Sequence, residues 1–265
     1  MSIDRRKLLL AAATGLIVPH HALAAPHGLQ TPPTVGIITM GDSRQGCSND
    51  PFFLALQNPT TGDCGVVPTQ AGQSYYSRAL SSVPVLWRNM GISGTRLNTN
   101  GYPDLVPLCA SPYIQQIPAS APFKGLKLIF VNGIGINDLC VGSYGNGHAD
   151  QYAAACAAVN VSVKSAWQAL GAEVLTALET VPPSSTNSLV EANWTQFNST
   201  ITGVGWAASN GVDYIIDINS QAQMGAWTAP NDPTLYVDGL HYTTLGSSLF
   251  TPIIISGLNT MIGMF

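Results

Sequence analysis

From residue 35 to residue 261 the sequence alternates short apolar runs with longer helix-like stretches, and few architectures accept that alternation. Residues 35–40, 126–131, 174–180 and 214–218 read as strands. Residues 150–170, Ala-rich and closed by Gly171, read as a helix, as do 188–209, closed by Gly211, and 243–261 despite Pro252. Residues 74–87 read as a helix that runs into a strand near Leu86. Residues 44–72 are rich in Gly, Pro, Asn, Thr and Cys and read as a long loop. Strand and helix in turn imply an α/β fold with a parallel sheet and helices on both faces. The expectation is one three-layer α/β/α domain over residues 34–265, with a mainly parallel sheet of about five strands. A hydrophobic share of 46% against only 9% charged residues supplies a large core and leaves a polar, weakly charged surface, which fits an exported protein.

The N-terminus agrees with export. Asp4-Arg5-Arg6-Lys7 is a basic lead, residues 8–18 are apolar but too short to span a bilayer, and Ala22-Leu23-Ala24 offers small residues for cleavage. Paired arginines ahead of leucines are similar to a twin-arginine leader; an ordinary secretory leader holding two arginines is the alternative. Residues 1–24 are thus expected to be a signal peptide, 25–33 a Pro-rich lead-in, and the location periplasmic or secreted. The leader carries three basic residues and one acidic one, so the chain's net charge of −4 becomes −6 without it. That balance disfavours nucleic acid and anionic lipid as partners. No later apolar stretch is expected to span a membrane.

Five cysteines, Cys47, Cys64, Cys109, Cys140 and Cys156, form no CxxC, and beyond residue 30 only His148 and His241 remain. Neither a metal nor another cofactor is expected. In an oxidising compartment Cys47 with Cys64, and Cys140 with Cys156, are the sequence-local disulfide candidates, leaving Cys109 as the odd thiol.

The apolar run 35–40 ends on Gly41-Asp42-Ser43, and far downstream stands Asp238-Gly239-Leu240-His241. A serine hydroxyl is a poor nucleophile until a base takes its proton. Histidine suits that task, and a carboxylate fixes its tautomer and stabilises the imidazolium. Asp238 and His241 are separated by two residues, so one turn can present both. His148 is the competing base, but its nearby acid, Asp150, follows it. In an open α/β sheet the working groups lie beyond the carboxyl ends of the strands, where Ser43 and Asn137 both fall. Each short match alone is an ordinary turn sequence.

Two further blocks lie between them in order: Asn89-Met90-Gly91-Ile92-Ser93-Gly94-Thr95 and Gly135-Ile136-Asn137-Asp138. With all four, the chain resembles the SGNH (GDSL-type) hydrolase family over nearly its whole length beyond residue 34. The resemblance implies a flavodoxin-like fold and a serine ester hydrolase without cofactor. Ser43 would be the nucleophile, His241 its base and Asp238 the residue that orients His241. The backbone N–H groups of Ser43 and Gly94 and the side-chain amide of Asn137 would form the oxyanion hole. Gly91 is the rival for the glycine role; the Ile-Ser-Gly-Thr context favours Gly94. Asp138 is expected to bind backbone N–H groups of its loop.

The residue after the nucleophile, Arg44, departs from the small or apolar residue common in the family. It could bind an anionic or carbonyl group of substrate, or be a hydrogen-bonded loop arginine. Trp87, Trp167, Trp194 and Trp206 are expected in the core, whereas Trp227 could line a substrate cleft. Residues 144–148 could shape the leaving-group side. Asn160, Asn193 and Asn198 head glycosylation sequons. The expected substrate is a small ester or an acylated polysaccharide. Acyl transfer to a sugar or alcohol is the second possibility, and a non-catalytic carbohydrate-binding or assembly role the third.

Overall fold

Val35-Gly36-Ile37-Ile38-Thr39-Met40-Gly41 is buried at every position. A segment rich in β-branched residues with no polar side fits the middle of a parallel sheet, covered on both faces. In the computed structural model it forms β1 (Val35–Gly41), followed by β2 (Gln73–Tyr76), β3 (Val85–Asn89), β4 (Lys127–Gly133), β5 (Val174–Glu179) and β6 (Tyr214–Ile216). The structure describes residues 33–46, 73–76, 85–92, 94–97, 104–140, 147–186 and 189–265. The leader at 1–24, the lead-in up to residue 32, most of the loop expected at 44–72, Cys47 and Cys64, and residues 144–146 lie outside them.

The strand order is β2-β3-β1-β4-β5-β6. β3, β1, β4, β5 and β6 run parallel, and β2 is antiparallel to β3 at the edge. The expected parallel sheet is therefore present, with one added strand. Residues 74–76, expected to open a helix, belong to β2 instead. Tyr75 and Tyr76 favour a pleated surface, and their backbone pairs with Trp87 and Leu86. Residues 77–84 of that expected helix lie outside the described residues.

The helices are α1 (Ser43–Gly46), α2 (Leu105–Cys109), α3 (Pro112–Gln115), α4 (Ala149–Ala169), α5 (Glu191–Ile201), α6 (Trp206–Ser209) and α7 (Thr244–Ile262). The stretch 188–209, read as one helix, is two. Thr202-Gly203-Val204-Gly205 separates them, where two glycines of low helix propensity interrupt the run.

Alternation along the strands divides the core. Ile38, Met40, Leu128 and Phe130 meet Tyr152, Cys156, Trp167 and Phe197 of α4 and α5 on one face. Ile37, Trp87, Ile129 and Val131 meet Phe250, Ile254, Leu258 and Met261 of α7 on the other. By length and composition α7 could cross a membrane, although no apolar stretch beyond the leader was expected to. In this fold its apolar side is spent on the sheet. Trp87 and Trp167 are fully buried and Trp194 nearly so, while Trp206 is half-buried against the same core.

The sequon asparagines are interior residues. Asn160 receives a hydrogen bond from Asn132 Nδ2 (3.0 Å) and donates to Ala177 O (2.8 Å), tying α4 to the sheet. Asn198 donates to Val181 O and accepts from Val181 N–H, and Asn193 accepts from Gly147 N–H. These bonds pair buried backbone groups that would otherwise be costly to leave unmet.

The chain leaves β1 toward β3 on one side and returns to place β4 on the other. This reversal opens a crevice at the carboxyl ends of β1 and β4, the usual ligand position in such sheets.

Candidate active site

Ser43 stands one residue beyond β1, after Asp42, and opens α1. Its Oγ lies 2.9 Å from His241 Nε2, and His241 Nδ1 lies 2.8 Å from Asp238 Oδ2. The three residues form one hydrogen-bonded line. Asp238 Oδ1 also accepts from Leu240 N–H (3.0 Å) and His241 N–H (2.8 Å), so a single carboxylate shapes the loop and aims the ring. Partial desolvation works to raise this carboxyl, but hydrogen bonds from the His241 backbone, the His241 ring and the Leu240 N–H outweigh it and hold it at about 2. An ionised carboxylate can only accept. The proton of the neutral imidazole therefore sits on Nδ1, and Nε2 is left to accept from Ser43.

The His241 loop is tightly held. Val237 N–H bonds His241 O (2.8 Å), and Tyr236 and Tyr242 pair as an antiparallel bridge. Gly239 has φ +75°, and a Cβ there would lie 2.1 Å from Ser185 Oγ. Glycine alone meets both demands cheaply. Ser184 Oγ and Ser185 N–H both donate to Gly239 O, docking this loop on the segment that follows β5.

The other two blocks gather on the same crevice. Ile92 N–H bonds Gly41 O (3.0 Å), which extends the β1–β3 pairing past the strand ends. Gly94 is exposed with φ +78°, in a turn closed by Thr95 N–H on Ile92 O. Gly91, its rival, is buried and gives its N–H to Asn89 Oδ1 (2.8 Å), so that amide is committed internally. Asn137 Nδ2 donates to Thr95 O (3.1 Å), which fixes the facing of the amide and joins it to the Gly94 turn. Asp42 is buried; its carboxylate accepts from Arg44 N–H and from the Ile136 backbone, linking the nucleophile turn to the Asn137 block. Burial pushes the Asp42 carboxyl up, against these bonds and the Arg44 charge.

Asp138 is a buried acceptor, but its partners lie outside its own loop rather than within it as expected. Leu97 N–H and Tyr152 OH donate to it. Burial pushes the carboxyl up to about 7 in spite of those bonds, with the Asp42 charge adding to the rise. A folded-state value above the ordinary 3.8 means that the native protein holds an extra proton between about pH 4 and pH 7. Its contribution to stability is complete below that window and is lost as pH rises through 7. Asp138→Asn is expected to flatten the pH dependence of Tm across pH 4–7 and to gain stability relative to the native protein at pH 8. Parallel Tm–pH curves for the two proteins would refute this.

Arg44 is not poised to receive substrate. It is buried, 6% exposed. Nε donates to Leu240 O (3.1 Å), Nη1 to Pro182 O (2.6 Å) and Nη2 to Pro183 O (2.6 Å). The adjoining cavity is about 20 Å³, room for one water and not for an acyl or sugar group. Of the two roles weighed for this residue, the hydrogen-bonded arginine is correct, and the substrate contact is not.

Trp227 is half-buried with its ring centroid 5.2 Å from that of Trp194, an aromatic contact at the margin of the core. His148 stands exposed at the N-cap of α4. Cys109, Cys140 and Cys156 are free thiols, so the expected Cys140–Cys156 disulfide is not formed. Cys140 Sγ turns to Ile136 O within its own turn, and Cys156 lies on the core side of α4 hydrogen-bonded to Tyr152. Burial pushes the Cys109 thiol up to about 12 and Cys140 up to about 11, so both stay protonated.

No family model matches this chain, and no curated protein matches its sequence. Solved structures do share its fold. A carbohydrate esterase family 3 protein from Talaromyces cellulolyticus superposes with a TM-score of 0.51 at 20% identity, covering 87% of this chain and 99% of that one. A protein from Parabacteroides merdae designated a GDSL-like lipase superposes with a TM-score of 0.50 at 13% identity, covering 85% and 95%. The chain has the α/β/α fold of the SGNH (GDSL-type) hydrolases.

Proposed function

We propose that the protein is an exported serine ester hydrolase that removes short acyl groups, acetyl from a carbohydrate foremost, through an acyl-enzyme. The observation that carries this is the continuous line Ser43 Oγ–His241 Nε2, His241 Nδ1–Asp238 Oδ2 at the carboxyl end of the sheet. His241 takes the Ser43 proton as Oγ attacks the ester carbonyl. Negative charge then gathers on the carbonyl oxygen, for which the N–H groups of Ser43 and Gly94 and the second amide hydrogen of Asn137 are the donors proposed. Collapse expels the alcohol, which leaves with the proton held by His241. Water, activated by the same base, then releases the acid and restores Ser43.

Three features support the narrower parts. The basic and apolar residues of 1–24 favour export to the periplasm or medium. A surface poor in charge suits a neutral, polar substrate. The T. cellulolyticus protein of the same fold is named a carbohydrate esterase. The purified protein should release p-nitrophenol from p-nitrophenyl acetate and acetate from acetylated xylan. Release of neither would overturn the proposal. Transfer of acetyl to an added sugar in preference to water would convert it into an acyltransferase.

The Asn137 amide makes a separate claim. Asn137→Ala removes one fixed donor to the oxyanion, a loss of about 3–4 kcal/mol of transition-state stabilisation. The expected result is a fall in kcat of about 100- to 1,000-fold with KM little changed. A change in KM alone would assign Asn137 to substrate binding instead.

A further inference from the structure

The bond between Ser43 and His241 joins two loops 198 residues apart in sequence. Asp238 aims the imidazole, but Asp238 rides on the same loop as His241 and cannot set how far that loop stands from Ser43. A side chain that reaches from the nucleophile turn across to the base loop can set that distance.

Arg44 has the required connections. Its backbone is joined to Ser43, and its own N–H bonds Asp42 at the end of β1. Its guanidinium grips both neighbours of the base: Nε holds the carbonyl of Leu240, and the Tyr242 ring lies under the cation at 5.0 Å. The two Nη donors hold Pro182 and Pro183. That segment is itself docked on the base loop through Ser184, Ser185 and Gly239. Three separate pieces of chain thus meet on one planar group. A planar fork is suited to this, because its donors point in fixed directions.

Stability alone is a poor account of this arrangement. A buried charge is expensive, and an apolar residue of similar volume often serves stability as well or better. An apolar side chain would fill the space but would hold none of the three carbonyls. We propose that Arg44 is the positioning residue that sets the reach from Ser43 Oγ to His241 Nε2. This rests on the hydrolase proposal for its kinetic readout and on geometry alone for its spectroscopic one.

Arg44→Met and Arg44→Lys test it. Both are assayed on the full chain, with kcat referred to folded protein by circular dichroism well below each variant's Tm. Arg44→Met is expected to lower kcat for p-nitrophenyl acetate about 100-fold with KM within about twofold, since a displacement of about 1 Å at reacting groups can cost that much. Arg44→Lys keeps the charge but has a point-like head that cannot span three carbonyls, so it should restore little of the loss. Independently, the ¹⁵N resonance of His241 Nε2 reports whether the Ser43 hydroxyl is bonded to it. It should shift in Arg44→Met toward the value of an imidazole nitrogen without that bond, and the native position should persist in Asn137→Ala.

Native kcat together with a native Nε2 resonance in Arg44→Met would overturn the proposal. If the native protein hydrolyses no ester, the hydrolase reading falls and the Nε2 resonance alone decides this one. If Arg44→Met does not fold, the same two measurements on Arg44→Lys decide it: a lowered kcat and a shifted resonance support it, and native values of both refute it.

Discussion

Ser43→Ala is expected to lower kcat toward p-nitrophenyl acetate by about five to six orders of magnitude, the loss that follows when the nucleophile of such a triad is removed. The hydroxyl is what His241 Nε2 receives at 2.9 Å, and alanine leaves the base with nothing to deprotonate. The fold should not suffer. Ser43 is buried at the start of α1, where a methyl fits the same space, and the bonds that hold the turn belong to Asp42 and Arg44. Tm within a few degrees of the native value would separate loss of chemistry from loss of structure. Retention of more than a few per cent of native activity would mean that the reaction does not pass through Ser43.

Asp238→Asn should follow, with a fall of about three to four orders of magnitude in kcat. Asparagine can still accept the Leu240 and His241 backbone N–H groups through its carbonyl, so the loop keeps its shape. What changes is the face toward the ring. An NH2 group there donates, so His241 Nδ1 must accept, and the imidazole proton moves to Nε2. Nε2 then points a hydrogen at Ser43 and cannot take one from it. Asp238 is half exposed, its side chain 52% accessible, so water can offer a partial substitute acceptor at Nδ1. The expected loss is accordingly smaller than for Ser43→Ala. Equal losses would mean that Asp238 does more than choose the tautomer. Native activity would show that hydration alone orients the ring.

The parts legible in the sequence are those written in local patterns. β1 and β4 announce themselves because a strand buried on both faces must be apolar throughout. The Asp238–His241 spacing is legible because two residues between acid and base suffice for one turn. Asn137 is marked by its place after a strand. The role of Arg44 is not legible. Its acceptors are backbone carbonyls 138, 139 and 196 residues away, and every residue carries such a carbonyl. The break between α5 and α6 lies in a run whose helical pattern continues past two glycines, and the edge strand β2 takes its conformation from its partner. The Cys140 and Cys156 thiols are near in sequence, but proximity in sequence says nothing of which way each Sγ points.

The buried asparagines Asn160, Asn193 and Asn198 bear on where this protein can be made. Each heads an Asn-x-Ser/Thr triplet. A eukaryotic secretory host attaches glycans to such triplets on the emerging chain, before the core closes. A glycan on Asn160 would have to enter the interface between α4 and the sheet, where the side chain is fully enclosed and bonded on both sides. Such a host would modify the chain at points that must later be interior. A bacterial host leaves them bare.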